Sequence, residues 1–150
     1  DAVNQNVEKF DDSGNLITSW STQGAWDAAA SDPDGIVCDK WGNVYTPDYN
    51  NFCVYKYTDT GTFEGQIGER GSGPGQFGSL SCGICVDAKG ILYVSDYSYR
   101  RVSEFSLDGK YLCQWGNSGP GALGNFDYFC LGPSGDAYVE DNNTIKVFGP

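Results

Sequence analysis

The chain offers six cysteines, twenty acidic side chains and four tryptophans for chemistry, and no histidine at all. Without histidine the usual general base, the Ser-His-Asp triad, the Cys-His pair and His-ligated metals are all missing. Cys82 and Cys85 form a Cys-x-x-Cys, which can ligate a metal or exchange electrons. A structural zinc needs a second such pair, and the sequence has none. Cys85 also recurs in place with Cys130 and Val37, which reads as an ordinary core thiol. Among the acids, Asp39 and Asp87 stand at equivalent places, and so do Asp48, Asp96 and Asp141. Repeated acids beside Gly and Asn read as caps on backbone amides. Calcium is the cofactor such acids can hold, but it requires several oxygens converging on one point. Asp11, Asp12, Asp32 and Asp34 make a looser acidic group. Glu140-Asp141 is an acidic pair where the other copies carry Pro47-Asp48 and Ser95-Asp96, which points to a surface role. Gly71–Gly78 is glycine-rich but leads into no Gly-Lys-Ser/Thr, so it reads as a connector rather than a phosphate cradle.

The elements that carry these residues are written as a repeat. Gly83–Phe105 reads GICVDAKGILYVSDYSYRRVSEF: three short runs of apolar and β-branched residues, broken by Gly, Asp and Ser. Gly35–Tyr57 and Tyr128–Phe148 repeat it, the last with two residues lost at the corner, and Asp1–Phe10 is the tail of a further copy. The corner aspartates Asp1, Asp48, Asp96 and Asp141 lie 47, 48 and 45 residues apart. That period fits one four-stranded propeller blade. The fourth strands are predicted at Asn15–Ser21, Thr62–Gly68 and Lys110–Gly116. Each follows a turn ending in Gly14, Gly61 or Gly109, where positive φ closes the hairpin. The divisions are a partial blade over 1–21, blades over 35–68 and 83–116, and a partial blade over 127–148. They hold two, four, four and three strands. Gly24–Ser31 is the one stretch that could make a turn or two of helix.

At GERGSGPGQF, followed by GICVDAKGILYVSDYSYRRVSEF, the chain resembles the NHL-repeat family nearly position for position. The resemblance covers essentially the whole chain. Copy one departs from it by using Ala25–Ala30 in place of the Gly-Gln-Phe crossing. Copy three departs by putting Leu131-Gly132 where Val-Asp is usual. The resemblance implies an all-β fold of four-stranded β-propeller blades, six of them in this family's usual ring. About three blades' worth is present: half of a six-bladed ring, a fragment, or an open array. The amidating-lyase branch of such propellers uses His-bound zinc, which does not carry over to a chain without His.

The core expected from the repeat is Ile36, Val44, Tyr45, Ile84, Leu92, Tyr93, Phe129, Ala137 and Tyr138. Trp20, Ile67 and Trp115 recur on the fourth strands and read as inter-blade packing. Trp26 and Trp41 break the repeat. With Tyr97 and Tyr99 they make the candidate interaction surface. Asn142-Asn143-Thr144 is a sequon that marks Asn142 as a candidate glycosylation site. With the abundance of Tyr, Gly and Asn it leans toward an extracellular, secreted setting. The six cysteines leave buried thiols and one or two disulfides both open.

Net charge is −11. Arg100-Arg101 is the one basic doublet, so the Lys/Arg set that nucleic acid requires is missing, and anionic membranes are disfavoured too. No apolar run reaches the length of a membrane span. The expected partner is protein: a second copy or the rest of a longer propeller chain. Three blades do not close a ring, and open blade edges expose unpaired strands. The expected function is a non-catalytic structural or interaction module that assembles through its incomplete blades. The alternatives are a propeller that binds a ligand or glycan through loop-face aromatics, and an enzyme whose site lies outside these residues.

Overall fold

The computed structural model describes residues 5–22, 35–126 and 128–149. Trp26, Asp32, Asp34, the Ala25–Ala30 crossing and the helical turn expected at Gly24–Ser31 lie outside the described residues. All fifteen elements among the described residues are strands. β1 (Asn6–Phe10) and β2 (Leu16–Ser21) pair as a two-stranded antiparallel sheet. β3 (Val37–Cys38), β4 (Val44–Asp48), β5 (Cys53–Tyr57) and β6 (Phe63–Ile67) form blade one, an antiparallel meander. β7 (Glu69–Arg70) and β8 (Gln76–Phe77) pair in parallel within the crossing. Blade two is β9 (Leu80–Val86), β10 (Ile91–Asp96), β11 (Arg101–Ser106) and β12 (Tyr111–Trp115). Blade three has three strands: β13 (Phe129–Leu131), β14 (Ala137–Asp141) and β15 (Thr144–Phe148). The thirteen expected strands are all present, and β7–β8 is an addition.

The repeat is kept in fine detail. The pairing slips by one residue at Lys9/Phe10, Lys56/Tyr57 and Glu104/Phe105, the same place in each third strand. A bulge there sharpens the right-handed twist that each blade needs. Gly61 shows why its turn is closed by glycine. Its φ is +89°, and a Cβ would lie 2.5 Å from the Trp20 ring.

The core is three apolar layers between blades rather than one centre. Val7 and half-buried Trp20 meet Val44, Tyr55 and Tyr57. Tyr45, Val54 and Ile67 meet Leu80, Leu92 and Phe105. Val102, Cys85, Tyr93 and Trp115 meet Phe129, Val139 and Phe148. Two expected core residues fall outside these layers. Ile36 is 56% exposed and Tyr138 is 40% exposed. Both belong to blade faces that no complete blade among the described residues covers. No helix among the described residues is long and apolar enough to cross a membrane.

Candidate functional site

The repeated aspartates hold the turns. Asp39 Oδ1 accepts the Trp41 and Asn43 N–H groups at 2.9 Å each. Its Oδ2 accepts the Asn43 amide at 2.8 Å and the Tyr45 hydroxyl at 3.1 Å. Asp87 repeats this with Lys89 N, Ile91 N and the Tyr93 hydroxyl. At the opposite end of the strands, Asp48 accepts from Asn50 and Asn51. Asp96 and Asp141 reach further and bind the N–H groups of the incoming crossings, at Gly78 and Gly124. No group of three acids or thiols suited to a metal ion converges among the described residues.

Arg101 is the centre of the crossing. It is buried, and its Nε donates to Asp96 Oδ2 at 3.2 Å. Its two terminal nitrogens donate to the carbonyls of Ser72, Gly73 and Gln76 and to the Gln114 side chain. The guanidinium also lies over the Tyr99 ring at 4.9 Å. One planar cation therefore satisfies the backbone of a loop that has few partners of its own. The doublet Arg100-Arg101 is split by this arrangement, because Arg101 faces the interior. Nothing in the repeat singled this residue out, since its partners come from a different part of the sequence.

Of the expected interaction residues, the three that are described lie at two ends of the strands. Trp41 is exposed on the β3–β4 turn, with the Lys40 ammonium 4.4 Å from its ring centre. Tyr97 and Tyr99 are partly exposed on the β10–β11 corner, at the other end of the strands. Asn142 is exposed on the two-residue turn between β14 and β15, where positive φ at Asn142 and Asn143 closes the hairpin. Its amide donates to Asp141 Oδ1 at 2.9 Å. Cys38, Cys53, Cys85, Cys113 and Cys130 are unbridged thiols. Burial pushes the Cys85 thiol up to about 11, which removes the thiolate that redox chemistry would use. Cys130, in the same repeat position, is exposed rather than buried.

Two surfaces stand out by comparison between blades. The first is the free face of blade three. Residues 137, 139 and 141 of β14 are buried against blade two, while Tyr138 and Glu140 point away. With Cys130, Tyr128, Ile145 and Val147 they leave an apolar face exposed. The equivalents of Tyr138 show what normally covers it. Tyr45 is 0% exposed beneath blade two, and Tyr93 is half-buried beneath blade three. The second surface is the cleft between blades two and three, of about 790 Å³, lined by Asp87, Tyr93, Glu104, Trp115 and Phe148. Trp115 and Phe148 rings lie 4.9 Å apart, and Trp115 Nε1 donates to Glu104 at 2.9 Å. Burial first, then the charges of Glu104 and Asp87, raise the Tyr93 hydroxyl and keep it protonated.

Known proteins share this architecture. Streptogramin B lyase superposes with a TM-score of 0.71 at 11% identity, over 99% of this chain and 49% of that one. Virginiamycin B lyase from Staphylococcus aureus gives 0.68 at 13% identity, over 97% and 49%. A Bacteroides fragilis protein, provisionally named as exported, gives 0.66 at 19% identity, over 84% and 37%. The chain thus spans half or less of the length of these three structures. At such identities the likeness is one of fold. No curated protein matches the sequence. The family model described as a 6-bladed beta-propeller matches residues 35–116, more than half of the chain, and covers both complete blades. The chain belongs to this 6-bladed beta-propeller family.

Proposed function

We propose that the chain is a non-catalytic interaction module whose two end faces are covered by further propeller blades. The observation that carries this is the exposure of equivalent residues. Tyr45 is sealed, Tyr93 is half-buried and Tyr138 lies open, in step with how fully the next blade covers each. The other end behaves the same way, since Ile36 is open while its equivalents Ile84 and Phe129 are buried. Open blade faces of this kind associate, by ring closure where the rotation allows it and otherwise head to tail. Two chains together bring about six blades' worth of strands, the number that describes the family. An NHL-type repeat is the finer form of this reading, supported by the Gly-Pro-Gly-Gln-Phe crossing and the recurring Asp corners. An extracellular setting is part of the proposal. Its supports are the exposed Asn142 turn and the exported name given to one similar structure.

The lyase activity named for two similar structures is not part of the proposal. A His-to-Ala form of virginiamycin B lyase is catalytically inactive, and these 150 residues contain no His.

Thiol labelling with peptide mapping tests the proposal. Cys130 lies on the face beyond blade three, and Cys38 lies on the same face of blade one as Ile36. Cys113 sits on the outer strand β12. Labelling of Cys130 and Cys38 should slow as protein concentration rises, while Cys113 keeps its rate. Rates for all three that ignore concentration would overturn the proposal.

A further inference from the structure

Among the described corner aspartates, two are paired with a cation and one is not. Asp96 pairs with Arg101 at 3.2 Å, and that guanidinium also donates to carbonyls of the incoming crossing at Ser72, Gly73 and Gln76. Asp141 pairs with Lys146, whose ammonium likewise donates to the Ala122 carbonyl of its own crossing. In each case the cation comes from the third strand of the same blade. Arg101 stands opposite Asp96, and Lys146 stands opposite Val139, two residues before Asp141. The preceding blade supplies neither.

Blade one keeps the carboxylate and lacks both cations. Asp48 is 1% exposed. Cys53 faces it where Arg101 faces Asp96, and Tyr55 stands where Lys146 does. No Lys or Arg pairs with Asp48 among the described residues. The incoming crossing brings none, since no Lys, Arg or His occurs between Lys9 and Lys40. Asp48 accepts the Asn50 and Asn51 N–H groups and the Asn51 amide, which are neutral donors. Buried charges in folded proteins are paired with an opposite charge or coordinate a metal.

What blade one lacks in positive charge it gains in oxygen. Thr46 shares one face of β4 with Asp48, at the position where the other blades carry Val94 and Val139. Its hydroxyl is buried and has no hydrogen-bond partner. Tyr57 stands where the others carry Phe105 and Phe148, and its hydroxyl is also buried without a partner. Burial first, then the Asp48 charge, push that hydroxyl up to about 12, so the carboxylate acts on it directly.

We propose that blade one binds a monovalent metal cation between the Asp48 carboxylate and the Thr46 hydroxyl, in the role that Arg101 and Lys146 play in the other blades, with the Tyr57 hydroxyl as a further oxygen. One carboxylate balances one positive charge, as it does against Arg101 and Lys146. Calcium takes about 6–8 oxygens, several of them from carboxylates, and a single acid does not provide them. The Cys53 thiol, pushed up to about 11 by burial, stays protonated and adds no second negative charge.

The test is the melting temperature of the whole chain, at fixed protein concentration and ionic strength, in sodium, potassium or tetramethylammonium chloride. Tetramethylammonium screens the net charge of −11 as the metals do, but oxygen ligands cannot coordinate it. Sodium or potassium should raise the melting temperature saturably, by about 3–6 °C at tenfold excess over the dissociation constant. Asp48→Asn should abolish this gain. Thr46→Val, the side chain of the other blades, should keep a cooperative melt and lose most of the gain, and Tyr57→Phe should lose part of it. Equal melting in all three salts, or an undiminished gain in Thr46→Val or Tyr57→Phe, would overturn the proposal. So would a gain from calcium chloride, at matched ionic strength, larger than that from either monovalent metal.

Discussion

Asp39 and Asp87 show how one carboxylate sets a turn. Each oxygen receives donors that the tight loop would otherwise leave unpaired. Asp87→Ala should therefore lower stability by about 0.5–2 kcal/mol in urea unfolding. A calcium titration that raised the melting temperature of the wild type but not of this variant would contradict a purely capping role. The acids also fix a pH dependence. Burial works to raise Asp39, but the Asn43 side chain and the Trp41 and Asn43 N–H groups outweigh it and hold the carboxyl below its usual range. The Lys146 ammonium does the same for Asp141. A carboxyl lower in the folded than in the unfolded chain stabilises fully above about pH 4 and stops doing so as pH falls through the folded value. The urea midpoint should drop between pH 5 and pH 3, and Asp39→Asn should make that drop shallower. An identical pH profile in the variant would contradict this assignment. These caps were legible in the sequence because they repeat. Arg101 was not, because its acceptors at Ser72, Gly73 and Gln76 lie in the crossing, far from it in sequence.

At the level of strands and crossings, the buried ion pair and the blade layers carry the largest effects. Removing one partner of a buried pair leaves the other charged and desolvated. Arg101→Ala should accordingly cost about 3–5 kcal/mol and loosen the crossing, seen as faster hydrogen exchange at Gly71–Gly78. Tyr45→Ala should cost about 3–5 kcal/mol, whereas Tyr138→Ala in dilute protein should stay within about 0.5 kcal/mol. Equal costs for the two tyrosines would contradict the account of the blade faces. The strands themselves were readable from period-two runs and glycine turns. The β7–β8 pair was not, since two-residue strands in a glycine-rich loop carry no alternation to read. Ile36 and Tyr138 were misplaced in the core for a different reason. Repeat position fixes which way a side chain points, but a face is buried only if a blade stands over it.

For the molecule as a whole, the net charge and the open blade faces bear on what it meets. With a net charge of −11 and Arg101 turned inward, RNA should show no binding in fluorescence anisotropy at physiological salt. Micromolar affinity there would contradict this. The larger question is what covers the apolar faces at the two ends of the blade stack. The strand count leads to the expectation of partial blades over 1–21 and 127–148, and Tyr138, Ile145 and Val147 are exposed on the face of blade three that points away from blade two. The most direct measurement is the mass of the 150-residue chain by light scattering after size exclusion. The account predicts a particle heavier than one chain, at twice 16.2 kDa for a paired ring or at higher multiples for a head-to-tail array. A stable species at 16.2 kDa with a sharp cooperative melt would contradict it.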